Sequence, residues 1–443
     1  MKFHILTLGC PKNEVDSEGM EVLLTEAGHS PVAELSEADL VIVNTCGFID
    51  AAREESLHAL RSASRRRKRG ALLVAAGCLA QREGEGLARL LPGVDGVIGC
   101  RNWTDIPRLA GMLSGGRSTG DSKLSVLLGE RLELGAVRRK LRKGSGYVKI
   151  SDGCDAGCAF CAIPSIKGPH RSKPPEQVVG EVRQLVEGGA VEVILVGQDT
   201  TAYGLDWGEA DGLERLLRRI GDEVPGLRWL RVLYLYPQRI TPGLLSVMAE
   251  MPQVCRYLDV PLQHTHPDVL RRMRRPHGEV GELIASIRQA MPEVAIRTTF
   301  IVGYPGETEE EHWHLLRSIE EMELDHVGVF TYSPQPGTHA ASMPGQVPER
   351  VKRRRRREAM EVAQRVSLKR NRTMVGREVE VLVEGAGRAV GGGRAAMVGR
   401  CYRDAPEVDG LVLFTGDAEV GEMVRVRITA ALEYDLVGEL VSR

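Results

Sequence analysis

The sequence predicts an α/β protein in three parts: an N-terminal doubly wound parallel sheet, a central (β/α) partial barrel, and a small C-terminal antiparallel β-barrel. Three observations carry this reading. Apolar runs alternate with helix-length amphipathic stretches over the first hundred residues, and a second series of the same kind starts at Tyr147. Residues 374–443, by contrast, hold only short β-branched runs parted by glycine turns. Strands separated by helices imply parallel pairing, whereas closely spaced strands and turns imply an antiparallel barrel.

In the first part the strand-like runs are 3–8, 40–43, 72–75 and 94–98, with helical stretches near 16–27, 51–68 and 81–90. Residues 101–144 break this rhythm, with a Gly/Ser stretch at 114–120 and a basic approach to Gly144, and are expected as a domain boundary. The barrel strands are expected at 147–151, 191–196, 230–235, 256–260, 295–302 and 326–332. Chemistry in such a barrel sits at the C-terminal ends of the strands. A charged helix near 350–371 leads to the last part, with strands at 379–383, 397–402, 411–414 and 423–428. The three parts are therefore expected to span 1–118, 140–371 and 372–443.

Composition excludes several classes. At 443 residues and 42% hydrophobic, the chain can bury large cores, which argues against general disorder. No run approaches the ~20 apolar residues of a membrane span, and the N-terminus shows no cleavable apolar segment, so a cytoplasmic location is expected. Nine cysteines, an odd number, suit metal ligands or core thiols better than disulfides. The net charge of -1 gives no global basic field for nucleic acid. Basic residues cluster locally at Arg65 to Arg69, at Arg271 to Arg275 around Met273, and at Lys352 to Arg357; each run is expected to be a solvated helix face.

The loop after the first barrel strand reads Gly153-Cys154-Asp155-Ala156-Gly157-Cys158-Ala159-Phe160-Cys161. Three thiolates in so short a loop can bind three irons of a 4Fe-4S cubane and leave the fourth without a protein ligand. A zinc site would want a fourth Cys or His in a knuckle, and the nearest candidate, His170, lies beyond Pro164 and Pro169. This spacing, with an aromatic before the last cysteine, resembles the radical S-adenosylmethionine (SAM) superfamily. The resemblance implies that Phe160 lies beside the cofactor, that Gly197 and Gln198 meet the SAM amino group, and that Gly303 approaches its adenosine.

Cys10, Cys46 and Cys78 lie far apart in sequence, yet each follows a predicted strand and has a glycine neighbour. In a doubly wound sheet those strand ends converge on one edge, so the three thiols can meet and hold a second cluster with an open iron. Buried cysteine as a small hydrophobe is the plainer reading of any one of them; three equivalent placements favour metal. Cys100 also follows a strand and is either a fourth ligand or a bystander, while Cys255 and Cys401 are expected to be structural.

Two three-cysteine sets followed by a β-barrel resemble the methylthiotransferases, whose C-terminal barrel is the OB-like TRAM domain. The resemblance covers nearly the whole chain. Gly9 to Asn13, Val43 to Ile49, Gln198 to Gly204 and Tyr257 to His264 look like the branch that modifies a ribosomal protein. It implies two 4Fe-4S clusters, SAM as cosubstrate, an electron donor such as flavodoxin or ferredoxin, and a sulfur source. The implied reaction is methylthiolation of an aspartate β-carbon in small-subunit ribosomal protein twelve, with a tRNA methylthiotransferase as the alternative. Cys100 departs from the family pattern, as does Val437, where a large aromatic is expected. Residues 374–443 hold eight Arg, no Lys and twelve Asp or Glu, a formal -4. An RNA-docking barrel should be basic, so the acidic one favours a basic protein partner over RNA.

Overall fold

The computed structural model describes residues 1–119, 124–129, 144–275, 280–387 and 396–442. The N-terminal sheet contains β1 (Lys2–Thr7), β2 (Ser30–Pro31), β3 (Leu40–Thr45), β4 (Leu72–Ala76), β5 (Gly96–Gly99) and β6 (Ser125–Leu127). They pair in parallel in the order β2-β1-β3-β4-β5-β6. Alternate residues of the central strands feed two cores, one on each face. Val41, Val43, Leu73 and Ala75 pack with Leu57 and Leu60, while Leu40, Ile42, Leu72 and Val74 pack with Met20, Leu24 and Leu109. Burial on both faces is why these strands read as continuous apolar runs.

The expected boundary beginning at 101 is overturned. A helix over Ile106–Thr119 runs through most of the Gly/Ser stretch, and β6 then adds a sixth strand, so the sheet extends past residue 118. Ile106, Leu109, Ala110 and Leu113 pack on one face of the sheet, and that burial overrides weak local propensity. Most of the basic approach to Gly144, residues 130–143, lies outside the described residues, as does the start of the expected second part at 140.

The middle of the chain supplies β7 (Gly144–Lys149), β8 (Ser151–Asp152), β9 (Arg171–Ser172), β10 (Ala190–Val196), β11 (Trp229–Val232), β12 (Tyr257–Asp259), β13 (Ala295–Val302) and β14 (His326–Thr331). Two parallel triplets, β11-β10-β7 and β12-β13-β14, are linked by a bridge from Leu230 to Val254 and by the Leu235 N–H to the Asp259 carbonyl. Among the described residues no pairing joins β14 back to β7, so the barrel is partial. The short β8–β9 ladder closes the base of the loop that carries Cys154, Cys158 and Cys161.

The C-terminal strands β15 (Glu378–Ala386), β16 (Met397–Cys401), β17 (Val412–Thr415), β18 (Met423–Ala431) and β19 (Leu436–Ser442) form a closed barrel. Its β16–β17 connection docks on the end of the central barrel opposite the cysteine loop. Buried Glu192 receives both Arg231 (2.8 Å) and Arg400 (2.6 Å), Asp409 accepts from the Tyr257 hydroxyl (2.6 Å), and Arg403 pairs with Asp325 (3.0 Å). Among the described residues no helix is long and apolar enough to cross a membrane.

Candidate functional site

The register of the N-terminal sheet explains where its cysteines fall. Thr45 pairs with Gly77 and Gly77 with Gly99, so Cys46, Cys78 and Cys100 stand one residue beyond matched positions on successive strands. Cys10 follows β1, the neighbour of β3, and caps the helix Pro11–Glu26. The ends of β1 and β3 flank the point where strand order reverses, the usual ligand edge of such sheets. Close approach demands glycine here: a Cβ on Gly9, at φ +91°, would meet Cys46 Cβ at 2.7 Å, and one on Gly77, also at φ +91°, would meet the Thr45 carbonyl at 2.6 Å. Asn13 locks the loops together by donating to the carbonyls of Leu8 (2.8 Å) and Thr45 (3.1 Å).

Cys10, Cys46 and Cys78 therefore share one edge, and Cys100 lies one strand further on. Its thiol faces the Ile166 carbonyl at 3.7 Å and is buried with Cys78, Ala162 and Ile166. The hydrogen bond between Cys78 and Cys100 pushes the Cys78 thiol well above its usual range, and burial adds to this. Burial likewise raises Cys46. Cys255 and Cys401 are buried away from both sets, Cys255 against Tyr257 and Leu233, Cys401 inside the C-terminal barrel.

In the barrel loop, Gly153 at φ +78° turns the chain beneath Pro169, and the Cys154 N–H donates to the Gly168 carbonyl (3.2 Å). The N–H groups of Ala156 and Ile163 each point at a thiol, Cys154 and Cys161 respectively, at 3.4 Å. Burial pushes Cys154 to about 11 and Cys161 to about 12, so unligated thiols here stay protonated. Arg275 lies 3.7 Å from the Cys158 sulfur, and Tyr236 hydrogen-bonds the same thiol. N–H donors and a guanidinium around three sulfurs suit a cluster held by thiolates.

Of the other predicted contacts, Gln198 donates to Asp152 (2.8 Å), while its buried side-chain carbonyl oxygen has no hydrogen-bond partner among the described residues. A Cβ on Gly197 would press on Ser151, and Gly303 at φ +72° lies against Lys352. Phe160 packs beside Ala159, Met273 and Tyr304. These residues stand at the mouth formed by the ends of β7, β10 and β13.

The expectation of solvated basic runs fails in part. Arg275 sits at the cysteine loop, Arg272 pairs with Glu311 (2.7 Å), and buried Lys352 and Arg355 reach the Tyr332 carbonyl and Glu307. In the first run Arg67 and Lys68 hold Asp95 and Asp39, and the rest is exposed. Sequence reasoning also passed over Lys12, Tyr234 and Asp152, although Lys12 stood inside a quoted motif.

One contact joins the sheet edge that bears Cys78 to the segment just past the barrel cysteines. Arg101, next to Cys100, donates to the carbonyls of Ser165 (2.8 Å) and Ile166 (2.9 Å) just past Cys161. Asp16 on the first helix pairs with Lys149 and with Lys167 (3.5 Å), and both lysines also meet Asp152, at 3.1 and 3.6 Å. All four side chains are buried.

Comparison with known proteins follows the same division. Residues 2–99 match the uncharacterized protein family UPF0004, residues 148–319 the radical SAM superfamily, and residues 375–441 the TRAM domain. The chain is 48% identical to the ribosomal protein uS12 methylthiotransferase RimO of Herpetosiphon aurantiacus, with 100% of each covered. It is 42% identical to the protein of the same name from Geobacter sulfurreducens, with 100% of this chain and 99% of the other covered. The chain belongs to the RimO methylthiotransferase family. Among solved structures, the radical SAM methyltransferase TsrM from Kitasatospora setae matches with a TM-score of 0.56, at 16% identity and 77% coverage of each chain, and so shares the fold. As a RimO-family enzyme, this chain is a radical-SAM methylthiotransferase, with the 4Fe-4S and SAM chemistry of that family.

Proposed function

We propose that this enzyme attaches a methylthio group to the β-carbon of an aspartate in ribosomal protein uS12. The observation that carries the reading is that the sheet edge bearing Cys78 packs on Ala162 and Ile166, just past Cys161 of the barrel loop. Cys154, Cys158 and Cys161 would hold one 4Fe-4S cluster, and Cys10, Cys46 and Cys78 the other. With SAM bound, the first supplies hydrogen-abstracting radical chemistry and the second holds the sulfur to be inserted. An aspartate β-C–H carries no acidic proton, so a general base alone does not serve.

The chain's own residues shape that chemistry. The Gln198 oxygen, unpartnered among the described residues, is an acceptor suited to the SAM ammonium, while the backbone at Gly303, packed on Lys352, would approach the adenosine and Phe160 would wall the cysteine loop. Packing of the helix Ile163–Lys167 against Cys78 and Cys100 buries this part of the sheet edge. The acidic C-terminal barrel fits a basic ribosomal protein, and docking on the central barrel buries as many of its acidic side chains (Asp404 and Asp409) as of its arginines. Arg400 and Arg403, two of its eight arginines, are buried against Glu192 and Asp325 of the central barrel. The electron donor would be a flavodoxin or ferredoxin, the sulfur source a separate reactant, and the location the cytoplasm where ribosomal protein is made.

The test is product analysis. Enzyme reconstituted with iron and sulfide, given SAM, reductant, uS12 and tRNA, should yield a methylthio-aspartate peptide on mass spectrometry and unchanged nucleosides in the tRNA digest. Methylthio nucleosides with unmodified uS12 would contradict the proposal.

A further inference from the structure

Among the described residues five lysines are buried: Lys12, Lys149, Lys167, Lys173 and Lys352. Four of them are neutralised by a carboxylate, Lys149 and Lys167 by Asp16 and Asp152, Lys173 by Glu181, and Lys352 by Glu349. Lys12, only 8% exposed, has no carboxylate within ion-pair distance among the described residues. Its ammonium rests 3.4 Å from the centre of the Tyr234 ring. A buried cation without a counter-charge is costly, and a ring face offsets only part of that cost.

The place of this cation matters as much as its isolation. Lys12 is two residues past Cys10, in the first turn of the helix Pro11–Glu26. Tyr234 lies just past β11, in the left-handed region at φ +64°, where its carbonyl accepts the Thr200 N–H (3.1 Å) from the loop carrying Gln198. Two residues later Tyr236 meets Cys158. Lys12 therefore stands beside the N-terminal cysteines and against the segment whose Tyr236 reaches Cys158. The left-handed backbone at Tyr234 is held by its N–H to Asp259 (3.0 Å), itself paired with Arg297 (2.9 Å). Strain of this kind is retained where surrounding contacts over-determine it, and here it keeps the ring beneath the ammonium.

We propose that Lys12 binds the side-chain carboxylate of the substrate aspartate. This rests on the uS12 reading above. A carboxylate entering this contact loses water and needs a cation, and Lys12 is the buried ammonium that lacks an anion. The β-carbon is one bond from the carboxyl group, so anchoring the carboxylate there presents the β-C–H between the two cysteine sets. The competing role is that Lys12 serves only as counter-charge to the Cys10 thiolate, which is within its electrostatic reach.

The experiment measures binding of uS12 to the reconstituted enzyme with SAM, using uS12 with its target aspartate and with Asp→Asn at that position. Wild-type enzyme should bind the Asn form about tenfold more weakly, the scale of a charge-assisted hydrogen bond. Lys12→Met should lose about the same factor on the Asp form and no longer discriminate, while keeping its iron content. Lys12→Arg should restore discrimination. Equal binding of Asp and Asn forms by wild type, or full discrimination by Lys12→Met, overturns the assignment, as does Lys12→Arg failing to restore it. Loss of iron in Lys12→Met with discrimination intact assigns Lys12 to the cluster instead. A wild-type enzyme that neither binds nor modifies uS12 removes the functional reading, and this inference with it.

Discussion

At the scale of single residues, a cysteine that follows a parallel strand and has glycine beside it is placed for metal by two independent constraints. The strand end fixes its position, and the glycine removes the Cβ that would block a bulky ligand. Both constraints are visible in sequence, which is why Cys10, Cys46 and Cys78 could be grouped despite their separation. Cys100, beside Gly99, satisfies both constraints too, and only the sheet order separates it: it lies one strand beyond Cys78, hydrogen-bonded to Cys78 and facing the Ile166 carbonyl. Cys46→Ala should therefore lower iron and acid-labile sulfide by about half while 5′-deoxyadenosine still forms from SAM. Cys100→Ala should keep both at wild-type levels; loss of half the iron in that variant would make Cys100 a ligand. Lys12 and Arg275 were illegible in sequence because a basic side chain gives no local sign of whether it meets water or a buried thiol.

At the scale of elements, the loop after β13 shows how one connection sets a titration. Glu307 is 5% exposed, near Arg355 (3.4 Å), His264 (4.0 Å) and His312 (3.8 Å), and Glu311 lies on the following helix. Burial raises its carboxyl from 4.5 to about 7, opposed by Arg355 and by the N–H groups of Tyr304 and Gly303. Because the folded value is the higher one, the associated stability is full below about pH 4.5 and is lost as pH rises through about 7. Glu307→Gln keeps the carbonyl acceptor and removes the titration. Its melting temperature relative to wild type should rise between about pH 5 and about pH 8, corresponding to roughly 3 kcal/mol. A difference that does not change with pH would contradict this. Element types were legible because periods of two and 3.6 residues dominate the pattern. The helix Ile106–Thr119 was not, since Gly115, Gly116 and Ser118 mask a stretch stabilised by its packing on the sheet.

At the scale of the whole molecule, buried charge joins the three parts. Asp16 reaches from the N-terminal sheet to Lys149 and Lys167 of the barrel, and Asp409 reaches from the C-terminal barrel to Tyr257 and Arg297. No sequence pattern announces such pairs, because partners more than a hundred residues apart meet only after folding. Asp16→Ala leaves two buried ammonium groups sharing Asp152 and should cost about 3–5 kcal/mol, read as a lowered denaturation midpoint. A loss below about 1 kcal/mol would place the pair on the scale of a surface contact instead. The order of the three parts was legible throughout, while the way they face one another was not.

The most direct measurement of the central claim follows one hydrogen atom. When uS12 carrying deuterium at the β-carbon of its target aspartate is given to reconstituted enzyme with SAM, sulfide and reductant, deuterium should appear in 5′-deoxyadenosine as methylthio-aspartate accumulates. Deuterium retained in the protein, with 5′-deoxyadenosine unlabelled, would contradict the account.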